Sequence, residues 1–321
     1  MKPRITDKAL LTERKASSRA RRGLSRCPVC ERTMCRLFGL LSEQAESAEP
    51  WLVRSDRSLL AQSNVDPERA QKDGWGIGWF VNGGRVRVEK GVHGAFENGE
   101  RERFLQAAAG AKGPLVVGHL RHASNPLRLP YERLLAPENS QPFENHTSLF
   151  AHNGAISFPT ETRPFLGLHE PKVRGVNDSE VLFWLLVRNT EETGDPLIGY
   201  IQTVEDLVRV WEGLRKPAIP PFSGLNVIYS RGPNELWAFC LWTGDHGTGL
   251  FDSSRRYYQM TYQVHPHRVL VGSEPFDREP GVWKSMPSGT YLVARRGDHH
   301  VDLKVDKIPL PTALEIRPPP S

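Results

Sequence analysis

Met34-Cys35-Arg36-Leu37-Phe38-Gly39 places a cysteine directly after an internal methionine, at the head of a short apolar run. A cysteine at the first position of a mature chain carries a thiol nucleophile and a free α-amino group on one residue. The amine can serve as the thiol's base, so no histidine partner is needed. Three further polar clusters sit at strand ends or a helix start. Gly118-His119-Leu120-Arg121-His122-Ala123-Ser124 puts Arg121 just beyond an apolar strand. Its planar fork suits a substrate carboxylate held by two parallel hydrogen bonds, or a structural ion pair. Ala151-His152-Asn153-Gly154-Ala155-Ile156 delivers an amide and then a glycine. Asn Nδ2 and a glycine N–H can converge as an oxyanion hole, although Asn-Gly is equally a turn. Asn177-Asp178-Ser179-Glu180 sets a carboxylate at a helix start, where it can accept an ammonium or act as a cap.

The elements that must position these groups follow from apolar spacing. Cys35–Leu41 is expected as a short buried strand, and Trp51–Ser63 as a helix with Trp51, Leu52, Leu59 and Leu60 inward. Gly76–Val81 and Arg85–Lys90 flank Asn82-Gly83-Gly84, a hairpin signal. Helices are expected at Arg101–Ala109, Asp178–Arg188 and Val204–Leu214, and strands at Pro114–Arg121 and Thr147–His152. The last third is strand-rich, with Gly224–Ser230, Glu235–Trp242, Tyr257–Gln263, Arg268–Gly272 and Thr290–Arg295, before a Pro-rich tail. Strands, then helices, then strands argue for an α+β protein of sheets packed face to face. The expected organisation is a leader over residues 1–34, one domain over 35–305 and a loose tail over 306–321.

The pI of 9.1 invites a nucleic-acid reading, but the charge is uneven. Residues 1–33 hold ten Lys/Arg and three Asp/Glu, a net of +7, against +5 for the whole chain, so residues 34–321 carry −2. The basicity belongs to the leader, which is expected to be disordered, and a nucleic-acid partner is not expected. Cys27-Pro28-Val29-Cys30 is half of a zinc-ribbon pattern with no second pair at ligand spacing, so no metal is expected. Apolar content of 38% and four cysteines in 321 residues fit a globular protein of the reducing cytoplasm, and no apolar run approaches a membrane span.

In combination, Met-Cys-Arg-Leu-Phe-Gly, Asp-Gly-Trp-Gly-Ile-Gly-Trp, Gly-His-Leu-Arg-His-Ala-Ser, His-Asn-Gly-Ala-Ile and Asp-Ser-Glu strongly resemble the class II glutamine amidotransferase domain of the N-terminal-nucleophile hydrolases. The likeness runs from Cys35 to about residue 280 and is strongest to stand-alone members, among them the γ-glutamyl hydrolase of the ergothioneine pathway and an amidotransferase subunit of glutathione degradation. Asp73–Trp79 and Ser273-Glu274-Pro275 point to that branch. The resemblance implies a four-layer αββα sandwich with two antiparallel sheets. By it, Cys35 matches the nucleophile, Asn153 and Gly154 the oxyanion hole, Arg121 the α-carboxylate site and Asp178 the α-amino site. Gly74, Trp75 and Gly76 match the segment beside the nucleophile, with His122 and Glu274 as further pocket residues. The implied reaction cleaves the γ-amide of glutamine or a γ-glutamyl compound through a Cys35 thioester, with no cofactor. The alternative is a non-catalytic or ammonia-supplying subunit working with a separate synthase or peptidase. Within the chain as written Cys35 lies in a peptide bond, so translation from Met34 with removal of that methionine is expected, with proteolysis after residue 34 as the second route.

Overall fold

The computed structural model describes residues 35–310, apart from Pro126, Lys216, Asp245, His246 and Pro280. The leader, with Cys27 and Cys30, and the tail beyond residue 310 lie outside the described residues.

The run after Cys35 forms β1 (Arg36–Ser47), the middle strand of a seven-stranded sheet. Its other members are β2 (Trp75–Val81), β3 (Arg85–Gly91), β4 (Lys112–Leu120), and, from the last third, β9 (Met260–His265), β10 (Arg268–Gly272) and β11 (Trp283–Met286). Their spatial order is β11-β9-β10-β1-β4-β2-β3, every pairing antiparallel. The second sheet has six strands, β5 (Phe143–Glu144), β6 (Leu149–Ile156), β7 (Phe222–Ser230), β8 (Glu235–Cys240), β12 (Thr290–Arg296) and β13 (Val301–Lys307), in the order β13-β12-β8-β7-β6-β5.

Side-chain parity divides the core into three. Leu37 and Leu41 of β1 meet Leu149, Ala151, Ile228 and Leu292 of the second sheet between the layers. Phe38 and Leu40 point the other way, against Trp51, Leu52, Leu59 and Phe104. Both faces of β1 are buried, which is why its sequence shows an unbroken apolar run instead of alternation. On the far side of the second sheet, α2 (Asp178–Thr193) and α3 (Pro196–Gly213) cover Phe150, Phe222, Val227 and Phe239, while α1 (Glu100–Gly110) covers the first sheet. The result is a four-layer αββα sandwich, two antiparallel sheets packed face to face between helical layers.

Local sequence explains where elements start. Asn177 caps α2 by accepting from Ser179 N, and Asp195 caps α3 by accepting from Leu197 N and Ile198 N, with Pro196 in the first turn. The structure departs from the sequence expectations at several places. Trp51–Ser63 is two short helical turns, Pro50–Arg54 and Leu59–Gln62, the second capped by Ser58 accepting from Ala61 N. Helix α3 begins at Pro196 and not near Val204. Tyr257 and Tyr258 precede β9 in a turn closed by Gln259 N donating to Arg256 O. The last strand continues to Lys307, and Ile308 is buried against the helical layer.

Candidate active site

Strand parity directs the nucleophile candidate and the amide candidate toward the gap between the two sheets. Cys35 precedes β1 by one residue and shares the parity of Leu37 and Leu41, so its side chain is directed between the sheets. Asn153 shares the parity of Leu149 and Ala151 on β6 and enters that gap from the opposite side. Cys35 is buried, and its Sγ–H donates to His122 O at 3.6 Å. Burial pushes the thiol up to about 11, while the His122 carbonyl contact and the charges of Arg121 and Arg36 pull it down and Asp178 pushes it up. Ser273 holds this end of β1 in register: Leu37 N donates to its Oγ at 3.0 Å, and its own N–H donates to Leu37 O.

Asn153 is fully buried, yet neither its Oδ1 nor its Nδ2 has a hydrogen-bond partner among the described residues. A buried amide left unpaired costs about 1–3 kcal/mol, so its placement calls for a polar guest. Gly154 follows at φ +150°, and a Cβ there would sit 1.9 Å from Gly224 O. Only glycine meets both conditions. Gly154→Ala is therefore expected to destabilise the fold by about 3 kcal/mol or more, through overpacking and backbone strain together, as urea denaturation would register. A Gly154→Ala protein with wild-type stability would contradict the packing described.

Arg121 lies just beyond β4. Its main chain is tied to the glycine-rich segment, Arg121 N donating to Gly74 O at 2.8 Å. Its Nη1 donates to Asp73 O at 3.0 Å and Leu134 O at 2.8 Å, leaving Nε and Nη2 without a hydrogen bond among the described residues. Asp178 Oδ2 accepts from Ile156 N at 2.9 Å, which joins the first residue of α2 to the end of β6, and Oδ1 accepts from Ser124 Oγ at 3.4 Å. Burial raises the Asp178 carboxyl to about 6 against the pull of Ile156 N, Ser179 N, Arg121 and Ser124.

The glycine-rich segment divides by parity. Gly76 packs under the segment before β5, where a Cβ would sit 2.1 Å from Gln141 O. Trp75 is turned the other way: its indole Nε1 donates to Glu100 Oε2 at 2.7 Å and its ring meets Phe104 edge-on. The sequence reading grouped Trp75 with the pocket; its side chain instead anchors α1, because alternate residues of a strand face opposite sides of the sheet. Glu274 also works at one remove. Its two oxygens accept from Leu250 N and Arg255 Nη1, both at 2.6 Å, so it fastens the loop that carries Tyr257 and Tyr258. The ring of His122 has Nδ1 3.4 Å from Ala70 O and 3.7 Å from Asp73 Oδ2.

Two residues stand out that sequence reasoning gave no role. Asp73 accepts from Ala123 N at 2.7 Å and from the Tyr131 hydroxyl, and its carbonyl holds Arg121. It therefore fixes both flanks of His122. His152 Nε2 lies 3.0 Å from Gly224 O and its Nδ1 2.9 Å from Ser179 Oγ, and burial lowers its ring to about 4. A carbonyl can only accept, so Nε2 carries the proton and Nδ1 accepts from Ser179, joining β6, β7 and α2 around Gly154. Asp73 and His152 both sit inside the quoted motifs, but only their partners' positions give them meaning.

Residues 34–245 match the family model for class-II glutamine amidotransferases. A Saccharomyces cerevisiae protein described as the probable glutamine amidotransferase DUG3 is 23% identical over 310 residues, 82% of each chain. Among solved structures, a glutamine aminotransferase class-II domain protein from Silicibacter pomeroyi has TM-score 0.56 at 16% identity, covering 86% of this chain and all of that one. Glutamine phosphoribosylpyrophosphate amidotransferase from B. subtilis, complexed with ADP and GMP, has TM-score 0.53 at 17% identity, with 86% of this chain spanning half of that one. At such identities the two structures speak for the fold, whereas the family match covers the nucleophile candidate, Arg121, Asn153, Gly154 and Asp178. The chain belongs to the class-II glutamine amidotransferases.

Proposed function

We propose that the protein hydrolyses the γ-amide of glutamine or of a γ-glutamyl compound through a thioester on Cys35. The observation that carries this reading is a buried carboxamide, Asn153, with no hydrogen-bond partner among the described residues, on a strand face that parity turns toward the same gap as the buried Cys35 thiol. In the active form the peptide bond before Cys35 is absent, and the free α-amine takes the thiol proton through a water. In water an α-amine with a pKa of about 8 and a thiol with one of about 8.5 are closely matched. Burial, which raises the Cys35 thiol to about 11, opposes the transfer, and the charges of Arg121 and Arg36 favour it. The thiolate attacks the γ-carbonyl, and Asn153 Nδ2 with Gly154 N–H receives the developing oxyanion. The proton returns to the leaving nitrogen, ammonia or an amine departs, and water hydrolyses the thioester to release glutamate. Arg121 holds the α-carboxylate through its uncommitted nitrogens, and Asp178 holds the α-ammonium. Asp73 positions Arg121, and Glu274 positions the covering loop. No helix of the described residues is long and apolar enough to cross a membrane, and a free thiol nucleophile suits the reducing cytoplasm.

The test is intact mass of the active protein followed by assay against glutamine and a panel of γ-glutamyl amides. Activity is expected only in material that begins at Cys35; turnover by a form still carrying residue 34 would sink the terminal-amine mechanism.

The raised Asp178 carboxyl gives a pH signature. Above about 6 it is ionised and can take the substrate ammonium; below that it is neutral. KM is therefore expected to rise as pH falls through about 6, with a smaller effect on kcat. Asp178→Asn should raise KM by about 10–100-fold, the worth of a hydrogen bond to a charged group, and should abolish that acid limb. An Asp178→Asn enzyme with wild-type KM at pH 7 would remove Asp178 from the substrate site.

A further inference from the structure

Arg36 follows the nucleophile and shares the parity of Phe38, so its side chain leaves the strand on the face opposite the thiol. It is fully buried. A guanidinium stays charged under all physiological conditions, and a buried charge ordinarily has a carboxylate partner. Arg36 has no ion pair among the described residues. Among the described residues its hydrogen bond runs from Nη1 to Cys35 O at 3.3 Å, and Nε and Nη2 have no partner there. Its guanidinium stacks on the Tyr257 ring, 4.5 Å from the centroid. Arg69 also lies 5.9 Å from that ring, but it is paired with Asp66 at 2.5 Å.

We infer that Arg36 is a positioning residue for the nucleophile, pinning the Cys35 main chain and supplying the standing positive charge that the thiolate neutralises. An uncompensated buried cation raises the energy of the resting state and is relieved when a negative charge forms beside it, which favours the ionised thiol over the neutral one. The charged groups that reach the thiol are Arg121 from the end of β4, Asp178 from the start of α2 and Arg36 from β1; His122 presents its carbonyl. On the reading proposed above, on which this part rests, Arg121 and Asp178 are neutralised by the carboxylate and ammonium of the bound substrate. Arg36 lies on the other face of β1 and keeps its charge throughout. The Tyr257 ring holds the guanidinium in place without cancelling it, and Glu274 holds the loop that brings the ring there.

The experiment is the pH dependence of Cys35 alkylation by iodoacetamide, followed by peptide mass mapping on the full chain, without substrate. Arg36→Met is expected to slow alkylation about tenfold on the rising part of the profile, the equivalent of a midpoint about one unit higher. Arg36→Lys, which keeps the charge and loses the fork, should remain within about threefold of wild type, because the Coulomb effect survives. Arg69→Gln should leave the profile in place. Thermal unfolding separates this from a packing role: replacing an unpaired buried cation by an apolar chain of similar length should keep or raise the midpoint. Coincident wild-type and Arg36→Met profiles would overturn the inference. So would equal losses in the Lys and Met proteins accompanied by lowered unfolding midpoints. Because alkylation needs no turnover, a protein that fails to hydrolyse γ-glutamyl amides yet shows the expected shifts would refute the proposed activity and leave the role of Arg36 standing.

Discussion

Cys35→Ala protein is expected to lose γ-amide hydrolysis by on the order of 10⁴–10⁶-fold, the usual consequence of removing a covalent nucleophile. The same protein should fold normally. The thiol makes one long hydrogen bond, 3.6 Å to His122 O, and the strand around it is held by Ser273 and by the pairing of Arg36 with Leu120 and Leu37 with His119. Glutamine affinity, measured calorimetrically on the inactive protein, should survive, because the proposed head-group contacts reside on Arg121 and Asp178. Loss of activity with retained affinity separates a nucleophile from a buried structural cysteine. Full hydrolysis by the alanine protein would end the thioester mechanism, and weakened binding in parallel with activity would show that the substitution had disturbed the pocket itself. Cys240 is a useful contrast. It is buried, burial pushes its thiol up to about 12, and its Sγ–H faces Tyr258 O and Met286 O in the sheet interior, so Cys240→Ala should leave hydrolysis intact.

The second large effect concerns Asn153. Removing one oxyanion donor typically costs 10²–10³ in kcat, about 3–4 kcal/mol, and Asn153→Ala is expected to fall in that range with KM changed by no more than about twofold. Stability should move the other way. The side-chain amide is buried with both polar atoms unpaired among the described residues, so its deletion removes a desolvation cost of about 1–3 kcal/mol against a small cavity. A chemical denaturation series should therefore place the alanine protein level with wild type or above it. That combination of lost turnover and kept stability is the mark of a group held strained for its substrate. If Asn153→Ala unfolded early and kept its turnover number, the residue would be structural and the oxyanion would need another donor. The neighbour across the strand pair, Asn226, differs in kind: its Nδ2 donates to Tyr258 O and its Oδ1 accepts from Leu241 N, so Asn226→Ala should cost stability.

Much of the layer arrangement was legible because the strands that build it are buried on one or both faces. The hairpin at Asn82-Gly83-Gly84, the buried runs of β4, β7, β8, β10 and β12 and the capped start of α2 all carry local signals. The elements that escaped have weak ones. Strand β11 is a four-residue edge strand whose sequence has no apolar alternation. Strand β13, also at a sheet edge, does alternate in Val301-Asp302-Leu303-Lys304-Val305-Asp306, a local signal that the apolar runs before it overshadowed. The break between Arg54 and Leu59 depends on Ser55 ending the first turn, its N–H donating to Pro50 O, and on Ser58 capping the next, which an apolar count over Trp51–Ser63 passes over.

For the site, the sequence alone determined the chemical inventory: a cysteine after a methionine, an arginine beyond a strand, an Asn-Gly pair and a carboxylate at a helix start. Their order along the chain carried the family resemblance. Only the tertiary structure decided which of these side chains share a space. Parity on two strands from different sheets sends Cys35 and Asn153 into one gap and sends Trp75 out of it. The same parity carries Arg36, adjacent in sequence to the nucleophile, to the far face of β1 beneath Tyr257. The roles of Asp73 and Glu274 were likewise hidden, because each acts through partners far along the chain, Tyr131 and Ala123 for one, Leu250 and Arg255 for the other. Residue type is written locally, whereas burial, charge compensation and the absence of a partner are properties of the packed molecule.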